Sequence, residues 1–208
     1  MKASSHSPRA TRAPRAPRAS GASGASRSPR RVCVSELPLA SRSQFRKRSS
    51  PRHGCGVFAV RPIRAGTRII EYTGELISHD EGERRYPTAP DFREEPEHTY
   101  LLQLDDERVI DANVGGNDAR FINHSCAPNC EPMPALDHMW IVSVRHIHPG
   151  EELAYDYAIE LDEPHTPSRK QRFPCWCGAR ACRGSILKPK YQPYHPLVRA
   201  ARRRWELA

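Results

Sequence analysis

The chain is short of the features that mark secreted and membrane proteins. Nowhere in its 208 residues do eighteen apolar residues run together, and the N-terminus opens on Met1-Lys2-Ala3-Ser4-Ser5 with no apolar stretch. Neither a membrane-spanning helix nor a secretory leader is expected. The expectation is an intracellular protein, cytoplasmic if bacterial and nuclear or chromatin-associated if eukaryotic. A phosphate-cradling loop is missing too. The glycines of His53-Gly54-Cys55-Gly56 lead into Val57-Phe58-Ala59-Val60, which reads as a strand where such a loop needs a helix, so dinucleotide binding is excluded. Lysine is scarce at the start, Lys2 being the only one before Lys47, and the charge there is carried by arginine.

Charge of one sign is also missing from the middle of the chain. The net charge is +9 overall, but residues 1–52 carry +12, residues 53–179 carry −10 and residues 180–208 carry +7. An acidic body between basic ends attracts a basic peptide, while the ends suit nucleic acid or another polyanion. Residues 1–50 are Arg, Ala, Ser, Pro and Gly in loose repetition and bury too little apolar surface to offset chain entropy, so they are expected to be disordered. A nucleic-acid-binding arm and a solubilising tail without a specific partner both fit them.

The ordered body is expected over 51–160, mainly as short strands. Thr67 to Ile77 reads as strand with a break at Gly74, and Ser78 with Glu81 makes a capping box that starts a short polar helix reaching about Arg85. Three prolines make 86–97 a loop. Tyr100–Leu104 and Arg108–Ala112 read as a hairpin, Met139–Val144 as a buried strand, and 151–157 as a strand or strand end. Residues 161–174 are polar and Pro-rich, a linker. For the basic tail 185–208, a short docked helix over Pro196–Leu207 and a frayed end both fit.

Seven cysteines are present, an odd number, and three crowd into Cys175-Trp176-Cys177-Gly178-Ala179-Arg180-Ala181-Cys182. In a reducing compartment such clustering points to metal before disulfides. Three thiols at this spacing make three corners of a tetrahedral zinc site, and the basic tail that follows offers no fourth. The fourth must come from afar, with Cys126 and Cys130 the available donors. Both lie in Arg120-Phe121-Ile122-Asn123-His124-Ser125-Cys126-Ala127-Pro128-Asn129-Cys130, whose amides, imidazole and thiols suit neither helix nor strand interior and need partners if buried. A zinc hydrolase fits less well, since four thiolates close the metal shell.

His53-Gly54-Cys55-Gly56, Glu71-Tyr72-Thr73-Gly74-Glu75, Arg120–Cys126 and Glu152-Leu153-Ala154-Tyr155-Asp156-Tyr157 occur in that order. Together they resemble the successive motifs of the SET-domain protein-lysine N-methyltransferases, and Cys175–Cys182 resembles the post-SET zinc segment. The resemblance covers about residues 50–184. It implies a mainly β fold of small curved sheets with short helices, in which the Asn-His and Tyr-Asp-Tyr stretches thread past each other in a pseudoknot. A small zinc-bound segment over 175–184 would follow.

The resemblance also implies S-adenosylmethionine held by the backbone of Gly54, Cys55 and Gly56 and by Asn123, His124 and Tyr157. It places zinc on Cys126, Cys175, Cys177 and Cys182, leaving Cys130 without metal. Tyr72, Tyr155 and Tyr157 would line a lysine channel, with Tyr157 as the catalytic tyrosine and Tyr155 limiting the product to mono- or dimethyllysine. Two departures stand out: the family usually has a bulky residue, often Trp, where Cys55 stands, and no cysteine-rich segment precedes residue 50. The chemistry suits the residues. Methyl transfer to an amine is a matter of positioning, and the lysine, with an ordinary pKa of about 10.4, must shed its proton in a desolvated channel. Tyrosines give such a channel apolar walls with a few hydroxyls. The substrate implied is a basic protein such as a histone-like or ribosomal tail. A non-catalytic SET-like module that binds basic peptides or nucleic acid is the reading of a different class.

Overall fold

A computed structural model of the protein describes residues 34, 37–52, 54–87, 99–161 and 163–190. Ten short strands and two short helices appear among them: β1 (Phe45–Ser49), β2 (Cys55–Ala59), β3 (Arg68–Glu71), β4 (Glu75–Ser78), α1 (His79–Arg85), β5 (Leu101–Gln103), β6 (Arg108–Asp111), β7 (Asn123–His124), β8 (Cys130–Ala135), β9 (His138–Ser143), β10 (Ala154–Tyr155) and α2 (Pro167–Arg172). The expected N-terminal arm up to residue 33, most of the loop at 86–97 and the tail from 191 onward lie outside the described residues.

The strands form four small sheets. β1 pairs antiparallel with β2, β3-β9-β8 and β4-β6-β5 are three-stranded, and β7 pairs parallel with β10. Gly74 separates β3 from β4 because the chain passes there against another backbone. A Cβ at Gly74 would lie 2.4 Å from the Asp111 carbonyl oxygen, well inside contact distance. α1 starts where Ser78 accepts a hydrogen bond from the Glu81 N–H at 3.1 Å. One apolar core, with Val57, Ile63, Ile69, Ile122, Ile141, Ile147 and Leu153 almost wholly buried, joins the sheets.

The pairing that matters most is the smallest. The stretches around β7 and β10 run side by side. Ser125 N–H donates to the Tyr155 carbonyl at 3.0 Å and Asn129 N–H to the Ala154 carbonyl at 3.1 Å. Asn129 completes the crossing through its side chain, accepting from Ala154 N–H at 2.8 Å and donating to the Glu152 carbonyl at 2.8 Å. A buried segment rich in polar groups is tolerated here because each stretch supplies the other's partners.

Two expectations are corrected. Residues 37–50 do not continue the disordered tail. Ser41 caps a 3-10 turn at Arg42–Gln44, and Phe45–Ser49 is β1. Only Phe45 of β1 is buried, so the strand shows no alternation in sequence and is held by its backbone pairing with β2. The 161–174 linker contains α2. Its Thr166 cap, Pro167 in the first turn and Arg169, Lys170 and Arg172 near the C-terminal end each favour a helix terminus.

Candidate active site and metal centre

Three tyrosines predicted as channel residues are brought together. Tyr72 follows β3 and is buried, its hydroxyl donating to the Tyr100 carbonyl at 3.0 Å. Tyr155 ends β10 and is buried, with its ring centroid 5.0 Å from that of Tyr157. Tyr157 is partly exposed, and its hydroxyl donates to the Ile122 carbonyl at 3.1 Å. Burial, reinforced by the neighbouring phenols, holds all three hydroxyls protonated well above the ordinary tyrosine range. The cluster is thus a set of neutral phenols with apolar walls. Tyr100 and Phe121, edge to face at 5.8 Å, extend it and were not singled out from sequence. Tyr100 falls between the Glu71–Glu75 and Arg120–Cys126 motifs, where spacing within a motif gives no sign of it.

The proposed cofactor residues also converge. Asn123 and His124 form β7 beside Ala154 and Tyr155, and the Asn123 amide reaches back to donate to the Cys55 carbonyl at 2.9 Å. Gly54, Cys55 and Gly56 therefore face the crossing, with Gly54 in the left-handed region at φ 43°. His124 is buried and its Nδ1 accepts from the Tyr157 N–H at 3.1 Å. This leaves the proton of the neutral ring on Nε2, which lies 3.4 Å from Cys126 Sγ. His53 lies outside the described residues.

Four thiols gather on the other side of His124. Cys126 Sγ lies 3.6 Å from Cys175 Sγ and 3.9 Å from Cys182 Sγ, and Cys126 N–H donates to Cys177 Sγ at 3.4 Å. A tetrahedron of sulfurs about 2.3 Å from a central zinc has edges of about 3.8 Å, so this spacing fits a metal. His124, Cys126, Cys175 and Cys177 also offer ligand atoms all within 4.8 Å of one another, making the histidine a competitor for Cys182. In the tautomer whose Nδ1 accepts from the Tyr157 N–H, Nε2 carries a proton toward Cys126 and has no lone pair for a metal, which favours Cys182 as the fourth ligand. Burial pushes the Cys177 thiol up, yet donors from Cys126 and Ala179 N–H and the neighbouring thiols bring it down to about 6. Cys130 is buried on β8, its thiol pushed up to about 12 by desolvation, which suits an inert core residue.

The segment is tied back to the crossing. Arg183, next to Cys182, places both guanidinium arms on Asp156 and donates its backbone N–H to Cys126 Sγ at 3.4 Å. Neither Arg183 nor Glu152, whose carboxylate meets Asn123 at 2.6 Å, was picked out from sequence as more than part of a motif.

The model of the SET domain matches residues 54–158. The chain is 37% identical over 171 residues to the histone-lysine N-methyltransferase trithorax of Drosophila virilis, covering 74% of this chain and 4% of that protein. It is 37% identical over 173 residues to human histone-lysine N-methyltransferase 2B, covering 76% and 6%. It is 38% identical over 172 residues to the Arabidopsis thaliana histone H3-lysine(4) N-trimethyltransferase ATX1, covering 76% and 15%. The chain thus spans no more than 15% of the length of these curated relatives. Among solved structures, the crystal structure of KRYPTONITE in complex with mCHG DNA and SAH superimposes with a TM-score of 0.53 at 28% identity, over 69% of this chain and 29% of that one.

Proposed function

The chain belongs to the SET-domain family, and on that footing we propose that it transfers methyl groups from S-adenosylmethionine to the side-chain amine of lysine in a basic protein. The observation that carries this reading is the convergence of Asn123, His124 and Tyr155 on one parallel strand pair, with Tyr157 bonded to His124 just beyond it and the Cys55 carbonyl bonded to Asn123. The relatives' names support lysine as the acceptor.

S-adenosylmethionine supplies a methyl group on a sulfonium, which a neutral amine takes by in-line displacement. Gly54–Gly56, Asn123 and His124 would bind it, since they present backbone and amide groups at one place. The phenols of Tyr72, Tyr155 and Tyr157 would wall the amine's approach. Their raised pKa values keep them uncharged, and an uncharged, desolvating wall disfavours the ammonium form of lysine. The Tyr157 hydroxyl is held by the Ile122 carbonyl, which fixes the ring whose aromatic face closes the path.

Zinc would be held by Cys126, Cys175, Cys177 and Cys182 as a closed structural centre, with His124 donating to the Cys126 sulfur. Its work is to dock residues 175–187 against the crossing. The substrate is taken to be a basic tail of histone-like or ribosomal type, drawn by the acidic body, with chromatin the setting if it is a histone. No helix among the described residues is long and apolar enough to cross a membrane. The deciding experiment incubates the full chain and S-adenosylmethionine with histone and ribosomal-tail peptides, followed by mass spectrometry. Methyl-sized mass gains on lysine are expected. Binding of peptide with no binding of the cofactor would replace this reading with that of a non-catalytic module.

A further inference from the structure

Asn123 spends both of its amide hydrogens inside the protein. Nδ2 donates to the Cys55 carbonyl at 2.9 Å and to Glu152 Oε1 at 2.6 Å. A primary amide has two N–H donors, so this nitrogen is fully used, while Oδ1 accepts nothing among the described residues. The reverse orientation would press Oδ1 against a carbonyl and a carboxylate, three acceptors together. The amide therefore has one orientation, and its oxygen is the atom left for a ligand.

Glu152 is built to enforce that orientation. Its second oxygen accepts from Ser50 Oγ at 3.1 Å. No arginine, lysine or histidine pairs with it among the described residues, although it is half-buried. Leu153 N–H bonds to the Val57 carbonyl at 2.7 Å, which fastens the adjoining backbone to β2. The room for its carboxylate comes from Gly56, where a Cβ would lie only 2.2 Å from Oε1. The Glu152 carboxylate thus packs directly over Gly56, whose φ does not itself demand a glycine.

We infer that Glu152 is a positioning residue: it holds the Asn123 amide so that the carbonyl oxygen, and not the amide nitrogen, faces the cofactor. The group met by that oxygen must be a donor, and the ammonium of the cofactor's amino-acid arm is the strongest donor S-adenosylmethionine and S-adenosylhomocysteine share. Glu152 itself acts through Asn123. This rests on the cofactor site proposed above and adds the residue that sets its polarity.

The test is binding of S-adenosylhomocysteine to the full chain by calorimetry. Glu152→Leu is expected to weaken binding at least about tenfold, the scale of one lost hydrogen bond to a charged group, and Glu152→Gln, which keeps an acceptor oxygen for Asn123, to recover most of it. In an Asn123→Ala background the same Glu152→Leu change is expected to cost less than about twofold, since the group through which it acts is gone. A merely structural role would give the same loss in both backgrounds, and that result overturns the inference. A second measurement needs no variant. In the complex of the unmutated protein, both Asn123 side-chain amide protons should be slow to exchange with solvent by NMR, and rapid exchange of either overturns it. If the unmutated chain does not bind S-adenosylhomocysteine at all, the proposed function falls and takes this inference with it; tight binding that is indifferent to Glu152 sinks this inference alone.

Discussion

Arg183 grips Asp156 with both arms of its guanidinium, Nη1 at 2.7 Å from Oδ2 and Nη2 at 2.8 Å from Oδ1. Asp156 lies between Tyr155 and Tyr157, and Arg183 lies next to Cys182, so one planar pair joins the aromatic cluster to the cysteine segment. Nη2 also donates to the Leu187 carbonyl at 3.2 Å, tying in the chain beyond. Lysine could neutralise Asp156 but could not span both oxygens and a carbonyl in one plane.

Breaking this pair removes both guanidinium bonds from a nearly buried carboxylate that keeps the Ala158 N–H at 3.1 Å, so the cost is set below the about 3–5 kcal/mol of a fully stripped buried charge. Arg183→Leu is therefore expected to release residues 175–187 from the body, seen as faster hydrogen exchange there, and to lower methyl transfer at least about tenfold. Arg183→Lys should fall between. An Asp156→Asn, Arg183→Leu double variant as impaired as the sum of the singles would show that the pair does not act as a unit.

Serine at Cys126, Cys175, Cys177 or Cys182 is expected to remove about one zinc per chain, as expected of a closed four-thiolate site. Cys130→Ser should leave metal content intact, because that thiol sits apart in the core. His124→Gln should also retain the metal while disturbing the Tyr157 backbone bond. Metal analysis of the purified variants decides it, and loss of zinc with His124→Gln but not with Cys182→Ser would make the histidine the fourth ligand.

Motif residues were the legible part of this chain, because their chemistry constrains type and order. Strand positions for β3, β5, β6 and β9, and the Ser78 start of α1, could be read from alternation, apolar runs and a cap. The start of the ordered body could not. β1 has the arginine-rich composition of the tail, and a strand held by its backbone leaves little mark on its side chains. α2 was hidden in a polar stretch with no buried face to give it a period, leaving only its cap and proline as signals. Glu152 looked like one acid in a Glu-Glu pair, and nothing in sequence says which of Glu151 and Glu152 turns inward. Glu151 instead pairs with Arg145 at the surface.

Electrostatic selection of a basic substrate is expected from the −10 carried by residues 53–179. Exposed charges are screened beyond about 10 Å at 0.1 M salt, so KM for a basic peptide should rise with ionic strength while kcat changes little. A KM that stays flat from low to high salt would count against the acidic body as the selecting element.

Alkaline pH should loosen the fold before it ionises the site. Tyr72, Tyr155 and Tyr157 have folded-state pKa values raised by burial above the unfolded value of about 10. Above pH 10 the unfolded chain gives up these protons and the folded one does not, so the unfolded state binds fewer protons and stability declines as pH rises. Their contribution is whole below about pH 10 and is lost upward from there. Melting temperature measured from pH 8 to 11 should fall most in the upper part of that range, less steeply in Tyr157→Phe. An unchanged slope in that variant would mean that its phenol is not held neutral by the fold.

The number of methyl groups added is expected to turn on Tyr155. Its side chain is buried, its ring lies 5.0 Å from that of Tyr157, and its hydroxyl has no hydrogen-bond partner among the described residues. The two other phenols of the cluster are already engaged, Tyr72 with the Tyr100 carbonyl and Tyr157 with the Ile122 carbonyl. Tyr155 is thus the one whose oxygen can hold a water or the substrate amine, in the space a methylated amine must turn through. Removing that oxygen keeps the aromatic wall and opens room for one more methyl. Wild-type protein is expected to give mainly mono- or dimethyllysine, and Tyr155→Phe to move the products toward higher methylation at a similar total rate. Tyr157→Phe should depress every product, since it frees the ring from Ile122. The relative ATX1 is named a trimethyltransferase, so the product distribution from one peptide and three proteins is informative in either direction. Abundant trimethyllysine from the unmutated chain would show that the Tyr155 hydroxyl does not limit the reaction.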